Sequence, residues 1–187
     1  MPDTVTATDI KLAAAYYPIL VDLAGQKQSL TCSELLHRAK TTHRGNTAVQ
    51  KAIVVSTGRR LDIVRRFTEL HGYPDLSSLV MDKGFGESGR DAPLRKGDPK
   101  KDHDQVFAFD WNAVAAEFQG FVKVTTKAIV PRKAVKSAAA LELMAAHYTE
   151  HRKALPANVR ERRESILELL MEGLAPDAAF SEALRDT

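Results

Sequence analysis

The chain has 187 residues, 44% of them hydrophobic and 27% charged, with a net charge of +3; this composition excludes a largely disordered chain and predicts a domain of about 120 residues with a helical appendage. No apolar run approaches the ~18 residues of a membrane span, and the opening Met1-Pro2-Asp3-Thr4 has neither the basic nor the apolar region of a secretory signal. The single cysteine, Cys32, excludes an internal disulfide and a cysteine-built zinc site, so a cytoplasmic protein without a membrane partner is expected.

Thr8 and Asp9 are placed to cap a first helix reaching about residue 23, with Ile10, Ala13, Ala14, Tyr17, Leu20, Val21 and Ala24 on one stripe. Pro18 predicts a kink or a restart within it, and Gly25 its end. Thr31-Cys32-Ser33-Glu34 has the form of a capping box, and it opens a second helix to about residue 40 that buries Leu35, Leu36 and Ala39 and exposes Arg38 and Lys40. After a turn over 41–46, Asn46 or Thr47 caps a third helix through residue 55. Its inner face is Ala48, Ala52 and Val55, widened by Val49, Ile53 and Val54, with Gln50 and Lys51 outward. A fourth helix over 59–71 buries Leu61, Val64, Phe67 and Leu70 and shows Arg59, Arg60, Arg65 and Arg66, until Gly72-Tyr73-Pro74 stops it.

Beyond Pro74 the period changes. Segments 76–81 and 105–109 read as strands of a small antiparallel sheet, and 82–89 as a glycine-rich tip carrying Lys83 and Phe85. A polar loop over 90–104 lies between them, a short helix follows around 113–118, and 121–130 reads as a further strand or an extended link. The last third is helical. Pro131 opens a helix to about residue 154, Pro156 and Asn158 restart one through residue 172, Gly173 ends it, and Pro176 sits at the first turn of a final helix over 177–184.

The predicted class is α+β and mostly helical: a winged-helix-like domain over 8–128, followed by a helical extension over 131–185 for dimerisation or docking. Charge alternates along the chain, with basic blocks at 26–66 and 119–153 between acidic ones. The first basic block holds nine Lys or Arg against two acids, Glu34 and Asp62. A helix cluster with one basic face is suited to a phosphate backbone, so double-stranded DNA is the expected partner. The third helix would enter the major groove through His43, Arg44, Asn46, Thr47, Gln50 and Lys51. Arg44 and Lys51 would meet phosphates, and Asn46 and Gln50 would be the base readers. Arg38, Lys40, Arg59 and Arg60 extend that surface, and Lys83 and Phe85 would act from the tip.

Other readings stay open at this stage. The basic face equally suits an acidic protein partner, or complementary faces of a homodimer. Asp82, Glu87, Asp91, Asp98, Asp102, His103, Asp104 and Asp110, with lysines among them, suggest a metal-dependent nuclease, although their spacing follows no known pattern. His147 and His151 have the i, i+4 spacing that suits zinc, but with no third ligand in sequence view they read as a surface pair. Segment 84–89 lacks the Gly-Lys-Ser/Thr ending of a phosphate loop. Neither a cofactor nor a catalytic residue is predicted.

The stretches Tyr17-Pro18-Ile19-Leu20, Leu30-Thr31-Cys32-Ser33-Glu34-Leu35-Leu36, the run from Leu70 to Gly84, and Val106-Phe107-Ala108-Phe109-Asp110-Trp111 are similar to an uncharacterised bacterial family. That resemblance spans roughly residues 15–111. It implies a helix-turn-helix-like start, a proline-leucine strand with a glycine tip, and an association with restriction and mobile-element neighbourhoods, but no established activity. The element order also resembles the winged-helix half of DNA alkyltransferases, whose Pro-Cys-His-Arg acceptor motif is missing here. Cys32, inside a capping box, does not replace it.

Overall fold

The computed structural model describes residues 4–81 and 99–185. They divide into two compact units, Thr8–Thr126 and Lys127–Thr187, the latter joined by Met1–Ala7.

Helix α1 (Ala7–Gln26) is the core of the first unit. Ile10, Leu12, Ala13, Tyr16, Leu20 and Leu23 are each at most 1% exposed, and a helix that is apolar around most of its girth belongs inside a fold, not on its edge. Pro18 lies within a continuous helix, where its missing N–H leaves the Ala14 carbonyl without its helical donor. The helix passes Gly25 and stops at Lys27, which takes left-handed geometry (φ 54°). The Lys27 N–H bonds the Ala24 carbonyl at 3.1 Å and the Gln28 N–H bonds the Leu23 carbonyl at 3.0 Å, the bond pair of a Schellman ending.

Strand β1 (Leu30–Thr31) leads into α2 (Cys32–Thr42), whose capping box forms as its residues require. The Glu34 carboxylate accepts from the Thr31 N–H at 2.7 Å and from the Thr31 hydroxyl at 2.8 Å, while the Glu34 N–H donates to the same hydroxyl at 3.3 Å. Helix α3 (Thr47–Lys51) is shorter than expected, because Ala52 and Ile53 turn extended (ψ 144° and 149°) before a 3-10 turn at Val54–Ser56. The β-branched run Ile53-Val54-Val55 loses rotamer freedom in a helix, which favours the break. Helix α4 (Thr57–His71) packs Ile63, Val64 and Phe67 inward, and Leu70, expected inside, is 74% exposed on another face. Gly72 ends it at φ 68°.

The sheet differs from expectation. After a 3-10 turn at Leu76–Leu79, strand β2 (Val80–Met81) pairs parallel with β1, Leu30 beside Val80 and Thr31 beside Met81. Parallel neighbours need a crossover, and α2 to α4 supply it. The antiparallel partner expected at 105–109 is instead helical up to Ala108, the last residue of α5 (Pro99–Ala108), and 121–130 falls largely in α6 (Ala115–Ala128). A short apolar run does not by itself distinguish strand from buried helix, and here Val106 and Trp111 are buried from helical and post-helical positions. The Trp111 indole N–H donates to the Val106 carbonyl at 2.8 Å, satisfying one of the last carbonyls of α5.

Most of the few aromatic residues belong to this unit. Tyr17 stacks on Phe118 at 3.8 Å between ring centroids, and Phe67 contacts Tyr17, His71, Tyr73, Phe118 and Phe121.

In the second unit α7 (Ser137–His151), α8 (Arg163–Met171) and α9 (Pro176–Arg185) enclose a core of Ala140, Val159, Ile166, Leu169, Leu170, Leu174, Ala179, Phe180 and Ala183. Helix α7 begins later than Pro131 suggests, because the preceding segment runs extended and the Val135 N–H bonds the Met171 carbonyl at 2.9 Å. Gly173 (φ 84°) must be glycine: a Cβ there would lie 2.4 Å from the Lys133 carbonyl oxygen. No described helix is long and apolar enough to cross a membrane.

Candidate nucleic-acid interface

The corner formed by α2, the turn after it and α3 is built by polar side chains acting on backbone. Asn46 caps α3, its Oδ1 accepting from the Ala48 N–H at 3.1 Å and the Val49 N–H at 3.3 Å. The Gln50 side-chain amide donates to the Lys40 carbonyl at 2.8 Å and the His43 carbonyl at 3.3 Å, so it closes the end of α2, where carbonyls have no helical donors. Val49 (0% exposed) and Ala52 (3%) anchor α3 inward. This fixes Thr47, Gln50 and Lys51 on its exposed side.

Those bonds change the roles expected of two residues. A bidentate base reader needs a free donor and a free acceptor on one amide. The Asn46 oxygen and the Gln50 amide nitrogen are already engaged within the fold. Neither side chain is arranged to read a base.

Arg59 and Arg60 leave the surface altogether. They are 3% and 0% exposed, against Asp9 in the first turn of α1, itself 0% exposed. Arg59 donates from Nε at 3.1 Å and from Nη2 at 2.9 Å to Asp9 Oδ1. Arg60 Nε lies 3.5 Å from the same oxygen, and its Nη1 donates to the Ile53 carbonyl at 3.1 Å. These two cations hold α4 to α1 and cannot touch a partner. Nothing local in the sequence signals this, since the acid stands 50 positions away and an Asp beside a helix start reads as a cap. Arg65 is drawn to Asp62 and Glu69 on its own helix.

What remains is a compact stretch of sequence with unbalanced charge. Lys27, Arg38, Arg44 and Lys51 are exposed and Lys40 half-exposed, and among the described residues none of the five is in an ion pair. Glu34 is the one acid between positions 27 and 51, and its carboxylate is held by Thr31. Arg38 also borders a shallow depression of about 310 Å³ with Ser29, Ser33 and His37. Half-buried His43 has its Nε2 enclosed without a hydrogen-bond partner. Lys83 and Phe85 lie outside the described residues, as does most of the acidic segment considered for a nuclease. Asp104 and Asp110 are described and exposed; Asp110 accepts from the Asn112 and Ala113 N–H groups, and among the described residues neither belongs to a group of three possible metal ligands.

Compared with protein-family models, with curated proteins and with solved structures, the chain matches none.

Proposed function

We propose that the first unit binds duplex DNA along its phosphate backbone, through the α2–turn–α3 corner and without reading base sequence. The observation that carries this is the set Lys27, Arg38, Lys40, Arg44 and Lys51, without acidic partners among the described residues, in a stretch whose one carboxylate is internally bound. Phosphate contacts supply most of non-specific affinity, and base contacts supply sequence choice. With Asn46 and Gln50 engaged in building the corner, the surface offers the first kind only. Of the winged-helix reading we retain the helix-turn-helix part, and a reducing compartment such as the cytoplasm fits the single Cys32. The resemblance noted in the sequence suggests an accessory factor of a mobile element, phage or defence system.

A second reading draws on the same engagement of Asn46 and Gln50: a partner recognised by charge alone can also be an acidic protein. Fluorescence anisotropy with labelled random duplex at low salt separates the two. The wild type is expected to bind, an Arg44→Ala/Lys51→Ala variant to bind at least about tenfold more weakly, and an Arg152→Ala/Lys153→Ala control to bind as wild type. Equal affinity of all three proteins would exclude this corner, and equal competition by any acidic polypeptide would favour the second reading.

A further inference from the structure

We propose that the second unit holds a divalent transition-metal ion of the zinc class between His147, His151 and Asp177. The two histidines stand one turn apart at the end of α7, and Asp177 lies in the first turn of α9. One ligand atom from each residue lies within 4.8 Å of the other two, and His147 Nδ1 is 3.8 Å from Asp177 Oδ1. In a tetrahedral site with bonds of about 2.0–2.2 Å, neighbouring donors sit about 3.4 Å apart. Closing the cluster onto an ion therefore takes roughly an ångström of movement. The two outer side chains have room for it, His151 being 42% exposed and Asp177 89%.

The third ligand is what the sequence does not show. Taken alone the histidine pair reads as a surface feature, because Asp177 is 26 positions from His151 and its approach depends on how α9 packs on α7. The packing is firm: the His147 side chain is 10% exposed, and its ring lies 4.3 Å from that of Phe180, a core residue. Among the described residues neither imidazole makes a hydrogen bond, so both have ring nitrogens available for coordination. The Glu150 carboxylate lies 3.9 Å from His151 Nε2, beyond hydrogen-bond distance, and leaves that nitrogen free. Two imidazoles and one carboxylate select zinc, nickel, cobalt or copper over magnesium and calcium. The ion would fasten the last turn of α7 to the first turn of α9, with water in the remaining position.

The test uses the full chain, freed of any histidine tag and treated with chelator, titrated with zinc chloride by calorimetry and with cobalt chloride by visible absorption. One ion per chain is expected, with the d–d absorption of low-coordinate cobalt, and magnesium should give no heat. Zinc at about 100 times its Kd should raise the melting temperature by about 5–10 °C. His151→Gln and Asp177→Asn change exposed groups and leave the fold intact. Each should lower zinc affinity at least tenfold and abolish the thermal shift, whereas His37→Gln in the first unit should change nothing. No binding by the wild type, or binding that both ligand variants retain, would overturn the proposal.

Discussion

Asp9 Oδ1 meets two guanidinium groups in a place where none of the three side chains is more than 3% exposed. Removing one partner of such a cluster leaves charge buried and uncompensated, which is far worse than never burying it. Asp9→Ala is therefore expected to destabilise the protein by about 3–5 kcal/mol, seen as a lower urea midpoint at unchanged slope. A change below about 1 kcal/mol would mean that water reaches the pair and screens it. Tyr17 supplies a second measure of the same interior. Its hydroxyl is enclosed without a hydrogen bond, and burial first, then Glu117 and Tyr73, push its pKa up to about 12. The unfolded chain loses that proton near pH 10 while the folded one keeps it, so stability should be full below pH 10 and fall between about 10 and 12. Ultraviolet titration of the four tyrosines should show at least one late transition; ionisation of all four together near pH 10 would contradict the burial. Tyr73 is also raised, chiefly by donating to Glu117 at 2.7 Å, so a Tyr17→Phe variant identifies the step that belongs to Tyr17.

Among the elements, those defined by local chemistry were legible in advance and those defined by distant neighbours were not. The Thr31–Glu34 box, the ends at Gly72 and Gly173, and Pro176 in the first turn of α9 all follow from what a few adjacent residues do to backbone donors and left-handed geometry. The parallel pairing of β1 with β2 was not legible, since it joins residues 50 positions apart across a helical crossover. Nor was the helicity of 105–108, where a short continuous apolar run suits a strand as well as a buried turn of helix. The candidate interface divides the same way: exposed cations could be counted from sequence, but Arg59 and Arg60 could be assigned to Asp9 only once α1 and α4 were seen together. Asn46 carries a prediction at this scale. Asn46→Ala removes the α3 cap and should cost about 1 kcal/mol of stability, with duplex affinity of the folded protein unchanged. Lost affinity at unaltered stability would instead make Asn46 a base reader.

At the scale of the molecule, a modest net charge of +3 conceals blocks of opposite sign, and the fold decides which of them faces outward. Of the nine cations between residues 26 and 66, Arg59 and Arg60 are consumed by Asp9 and Arg65 by Asp62 and Glu69, Arg66 is half-buried on α4, and the other five, Lys27, Arg38, Lys40, Arg44 and Lys51, have no acidic partner among the described residues. Each phosphate they neutralise should add about 0.9 to the steepness of log affinity against log salt concentration on duplex DNA. The decisive measurement is that salt dependence on random duplex, wild type beside Arg44→Ala/Lys51→Ala. A slope shallower by about 1.8 in the double variant is the predicted result, and superimposable slopes would contradict the placement of the partner on this corner.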